Sequence, residues 1–104
     1  MSNTETTADA LAALYVQSFG GKQTGRYRIP AKQLRQLMQC KRLYPEDITT
    51  LTRALLERGF VFIDMDSFYV VLSANTFVNY RRVSAEAVDK VQGQMRTKSS
   101  AQKG

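Results

Sequence analysis

Apolar residues recur at helical spacing in four stretches of the chain and form two β-rich runs. Leu11, Leu14, Tyr15 and Ser18 share one face of a first helix, and Ala8, Ala10, Ala12 and Ala13 add helix propensity. Met1 to Thr7 is rich in Ser, Thr and Asn and reads as a frayed, disordered end, with Thr7 or a neighbour capping the helix. Phe19-Gly20-Gly21 is the expected stop, because glycine accepts the left-handed conformation that closes helices. Lys22 to Gly25 is a polar turn, and Arg26–Ile29 alternates polar and apolar as a short strand with Tyr27 and Ile29 inward.

Pro30 suits the first position of a second helix, Pro30–Gln39. Ala31, Leu34, Leu37 and Met38 are its buried stripe, while Lys32, Arg35, Gln36 and Gln39 face out. After a connection over Cys40–Tyr44, Pro45 restarts helix with Glu46 and Asp47 in the first turn, where acids complement the macrodipole. Ile48, Leu51 and Leu55 share the inner face of this third helix, and Gly59 follows its end at Arg58. Phe60–Ile63 and Phe68–Leu72, split by Asp64–Ser67, read as a β-hairpin.

Ser73 to Arg82 fits either helix, from Phe77 and Tyr80, or an extended path, from Thr76, Val78 and Val83. Ser84 then resembles an N-cap, with Val83 and Val88 spaced as a hydrophobic staple. Val88, Val91 and Met95 continue that fourth helix, and they pack either on their own domain, near Tyr69, Val71, Phe77 and Tyr80, or in a dimer seam. Residues 96–104 read as a disordered basic tail. The chain is therefore expected to be one α+β domain over residues 8–95 between two irregular ends.

The order helix, strand, helix, helix, hairpin resembles a winged helix-turn-helix domain over Ala8 to Leu72, with an extra C-terminal helix added. The likeness lies in element order and length, not in a residue motif. It implies that Pro45–Arg58 is the recognition helix and that Asp64–Ser67 is the tip of the wing. In such a helix Thr49, Thr50 and Arg53 lie opposite the buried face and would read base edges.

Charge sharpens this picture. The 104 residues carry a net charge of +6. Lys22, Arg26, Arg28, Lys32, Arg35, Lys41 and Arg42 follow one another with no acid between Asp9 and Glu46. A folded surface of one sign is a footprint for a polyanion. Arg26, Arg28, Lys32, Arg35, Lys41 and Arg42 are the expected phosphate contacts, with double-stranded DNA as the partner. The expected function is a small transcriptional regulator, dimeric through the C-terminal helix. Against a DNA-touching wing stand Asp64 and Asp66 at its tip, and Glu46 and Asp47 open the recognition helix. A protein-interaction module of the same fold is the alternative reading.

Catalysis is not expected. The chain has no histidine, a lone cysteine at Cys40 and no glycine-rich phosphate loop. Asp64 and Asp66 read as turn residues and not as metal ligands, so no metal or cofactor is expected. The polar start and the absence of a long apolar run lead to the expectation of a cytoplasmic protein with no membrane contact.

Overall fold

The computed structural model describes residues 3–17, 21 and 24–103, with side chains as far as Arg96. In order, the elements are α1 (Asn3–Tyr15), β1 (Tyr27–Pro30), α2 (Ala31–Met38), α3 (Pro45–Glu57), β2 (Phe60–Asp64), β3 (Phe68–Ser73), a 3-10 turn (Ala74–Phe77) and α4 (Ala85–Lys103). The three strands form an antiparallel sheet in the order β1-β3-β2. Among the described residues, no helix is long and apolar enough to cross a membrane.

Helices α1, α2 and α3 close over one face of the sheet. Leu11, Leu34, Leu51, Leu55 and Val71 are fully buried there, joined by Ile29, Met38, Phe62 and Tyr69. Each buried leucine contributes on the order of 1.5–3 kcal/mol of transfer free energy before conformational entropy is set against it. The register pairs Tyr27 with Val71 and Phe62 with Val71, and alternation along the strands sends Ile29, Tyr69 and Phe62 to the same side. The Phe62 and Tyr69 rings stack there at 5.2 Å between centroids.

The N-terminal expectation is corrected. Helix begins at Asn3, and Thr7 is fully buried inside it instead of capping it. The Asn3 side-chain amide donates to the Met38 carbonyl at 2.8 Å, and the Thr7 hydroxyl donates to the Leu37 carbonyl at 3.3 Å. These carbonyls end α2, where intrahelical donors run out. Polar residues that read locally as a fraying end thus close a neighbouring helix through tertiary contact. Ser18, Phe19, Gly20 and Lys22, assigned above to the helix end and the turn, lie outside the described residues, as do Met1 and Ser2.

Helix α2 stops without glycine. Gln39 takes the left-handed conformation at φ 55°, and the Cys40 N–H reaches back to the Arg35 carbonyl at 3.1 Å. Helix α3 is opened by Tyr44, whose N–H donates to the Asp47 carboxylate at 3.0 Å. Gly59, at φ 87°, turns the chain from α3 into β2, and its carbonyl accepts the Ala74 N–H at 2.9 Å.

The segment after β3 is neither α-helix nor strand. Ser73 Oγ accepts the Asn75 N–H at 3.2 Å to start the 3-10 turn, and residues 81–84 have no regular structure. Ser84 caps α4 as its position implies, accepting the Ala87 N–H at 3.1 Å. Val83 and Val88 stay 71% and 42% exposed, so the staple is not packed. Tyr69 and Val71 belong to the core and do not cover α4. Residues 96–103 continue the helix instead of forming an irregular tail.

Candidate nucleic-acid interface

β1 sorts its side chains by alternation. Tyr27 turns inward, where its hydroxyl donates to the Leu11 carbonyl at 2.6 Å, while Arg28 is exposed. Arg26, expected to open the strand, lies just before it and is also exposed. Burial pushes the Tyr27 phenol far above its ordinary value. The Arg28 guanidinium lies 5.6 Å from the centre of the Phe68 ring, a cation–π contact that fixes its position on the sheet.

The basic run divides into two groups. Pro30 pairs with Phe68, and the Ala31 N–H donates to the Ser67 carbonyl at 3.4 Å, so the start of α2 abuts the hairpin. Arg28 and Lys32 therefore sit on the hairpin side. Lys41 and Arg42 are exposed beyond the other end of α2, about 12 Å away along a helix of this length. The two ion pairs found among the described residues both belong to Arg58, so none of these cations is neutralised in that way.

Arg35 differs from the rest. It is half-buried and shares the surroundings of Tyr69 with Asp64 and Asp66. Burial raises the Tyr69 phenol, the two carboxylates raise it further, and the Arg35 charge opposes them. Arg35, Asp64 and Asp66 thus bring opposite charges to the surroundings of one tyrosine. Asp64 is a turn residue, its Oδ1 accepting the Asp66 N–H at 2.8 Å, and Asp66 sits at φ 76°. Among the described residues no cluster of three potential ligands could hold a metal.

On α3, Thr49, Thr50 and Arg53 are all exposed, on the side away from Leu51 and Leu55. The Thr49 hydroxyl donates to the Pro45 carbonyl at 3.0 Å and the Thr50 hydroxyl to the Glu46 carbonyl at 2.8 Å. Each hydroxyl proton is thereby occupied. The outward lone pairs remain, which suits acceptance from a base amino group and not donation to a phosphate. Asp47 is committed to the cap at Tyr44, so of the two acids at this helix start only Glu46 has a carboxylate without that task.

Sequence reasoning passed over Arg58. Its guanidinium bonds Glu5 and Asp9, each at 2.9 Å, and the Ala54 carbonyl at 2.8 Å. It thereby ties the C-terminal end of α3 to α1 and fixes the attitude of the candidate reading helix. The signal was an acid pair at i, i+4, Glu5 and Asp9, which presents two carboxylates on one helix face. Cys40 is half-buried against the core.

Compared with known proteins, the chain matches no family model, no curated protein and no solved structure.

Proposed function

We propose that this chain is a winged helix-turn-helix protein that binds double-stranded DNA and acts as a small transcriptional regulator. The observation that carries the reading is the surface around α3. Thr49, Thr50 and Arg53 are exposed on its outer side, and the exposed cations Lys41 and Arg42 lie just before it. The element order and the β1-β3-β2 sheet support the fold assignment. In this reading Arg26, Arg28, Lys32, Lys41 and Arg42 contact phosphates, Arg35 contributes less because of its acidic neighbours, and Thr49, Thr50 and Arg53 face base edges.

The test is fluorescence anisotropy of random-sequence duplex DNA across a salt series. The expected result is a steep linear fall of log affinity with log salt. Neutralising Arg28, Lys32, Lys41 and Arg42 together should flatten that slope by up to about 0.9 for each phosphate left without its cation. No binding at low salt would overturn the reading.

One observation favours a second reading, a protein-interaction module of the same fold. Asp64 and Asp66 at the hairpin tip, with Arg35 close by, form a mixed-charge surface unsuited to phosphate. Loss of a captured protein partner on Arg35→Glu, with no duplex binding by the parent chain, would establish that alternative.

A further inference from the structure

The sheet has a second face. Alternation opposite Ile29, Phe62, Tyr69 and Val71 places Arg28, Val61, Ile63, Phe68, Val70 and Leu72 on the side away from the three helices. An antiparallel sheet with one wet face ordinarily alternates apolar and polar residues. Here Arg28 is the one charged residue among those six. Ile63 is 37% exposed and Val61, Phe68 and Val70 are half-buried, while Leu72, next to the 3-10 turn, is already buried within the chain. The unbroken apolar runs Phe60–Ile63 and Phe68–Leu72 are what a sheet covered on both faces requires.

Helix α4 has the converse deficit. Every described side chain from residue 79 to 96 is exposed. Val88, Val91 and Met95 make an apolar stripe whose members are 42%, 55% and 62% exposed. The structure measures 56 Å along its longest axis against 31 and 28 Å across. The path to α4 is held locally: the Val78 N–H bonds the Asn75 carbonyl at 3.3 Å, the Tyr80 N–H bonds the Phe77 carbonyl at 3.1 Å, and the Phe77 and Tyr80 rings meet edge to face.

We infer that the outer face of the sheet and the apolar stripe of α4 are the two halves of one interface between two copies of this chain. Each copy lays α4 across the sheet of the other about a two-fold axis. The charges agree with this occupant. Arg28 is the charge on this face, at its β1 side, while Asp64 pairs with Tyr69 in the register and alternation puts its side chain on the helix side. On α4, Asp89 and Arg96 flank the stripe on one side, seven residues and about 10 Å apart along the axis. A helix placed with Asp89 at Arg28 pairs that charge and leaves Arg96 at the solvent-facing edge of β2. Arg28 would then serve this contact and not a phosphate, while the other basic residues stay free for DNA, and a test without nucleic acid reads the interface separately from the DNA reading.

Sedimentation velocity on the full chain, without DNA, tests the proposal. The parent should be a dimer. Ile63→Glu and Val91→Glu alter exposed positions, and circular dichroism checks that both variants fold. Each should weaken self-association by about a hundredfold or more, because a carboxylate would be buried unpaired. Mixing the two variants should partly restore dimers, since one of the two symmetric contacts is then intact. With Cys40→Ser, the pair Ile63→Cys and Val91→Cys should give a disulfide between chains. A monomeric parent, a disulfide within one chain, or full dimerisation of Ile63→Glu alongside a monomeric Val91→Glu would each overturn the inference. The last would mean that α4 pairs with α4.

Discussion

The hydroxyl of Tyr27 donates to the carbonyl of Leu11 at 2.6 Å, a bond that fastens β1 to the middle of α1. The bond requires a protonated phenol, and burial raises the Tyr27 pKa in the folded chain. A folded pKa above the unfolded value of about 10 means that the contribution is fully present below that pH. It is lost as pH rises toward the folded value, because the unfolded chain ionises first. Denaturation midpoints should therefore fall above about pH 10. Tyr27→Phe should cost about 0.5–1.5 kcal/mol at neutral pH and leave a shallower alkaline decline, the remainder owed to Tyr69.

Arg58→Ala should lower the melting temperature and make it less dependent on salt. The substitution strips Glu5 and Asp9 of their shared partner and frees α1 from the end of α3. Thermal melts of parent and variant at low and high salt measure the effect. Arg58→Lys should recover little, since one ammonium cannot reproduce the planar fork that serves two carboxylates and the Ala54 carbonyl.

Leu55→Ala should cost about 2–5 kcal/mol in urea denaturation. Leu55 is fully buried, and the space it vacates lies among packed side chains. Leu56→Ala, one residue on and 58% exposed, should change stability little, and the pair of variants fixes the rotation of α3.

If α3 reads bases, Arg53→Ala should cost about 1–3 kcal/mol on a selected duplex and relax preference at one base position. Selection of binding sites with parent and variant compares the two preferences directly. An unchanged preference would remove Arg53 from the reading surface.

Asp64→Asn with Asp66→Asn should raise duplex affinity at low salt, with the gain fading as salt rises. Both carboxylates oppose phosphate, and both act against Arg35 near Tyr69. Anisotropy titrations at several salt concentrations measure the change.

The fold was legible wherever one element decides its own form. Pro45 marked the start of α3, and alternation set the inward face of β1. Pro30, expected as the first residue of α2, instead ends β1 in an extended conformation, and the helix starts at Ala31. The polar start was misread because the partners of Asn3 and Thr7 are carbonyls about 30 residues or more along the chain. Helix α2 ends at Met38, one residue short of the expected Gln39, and nothing in the residue types shows that Gln39 adopts a left-handed conformation. For the candidate site, exposure of Thr49, Thr50 and Arg53 followed from helical periodicity. The commitment of the threonine protons to backbone carbonyls did not, nor did the acidic company of Arg35, which depends on how the hairpin tip meets α2.

The attachments of α1 also bear on how the chain assembles during synthesis. Its first turns bind Leu37 and Met38 at the end of α2 and Arg58 beyond α3. A ribosome delivers those partners later, so α1 must wait, solvated, until Arg58 has appeared. Closing a loop of that length is an entropic cost incurred before any contact repays it. Helix α1 is made before α2 and α3 and is locked in place only after them.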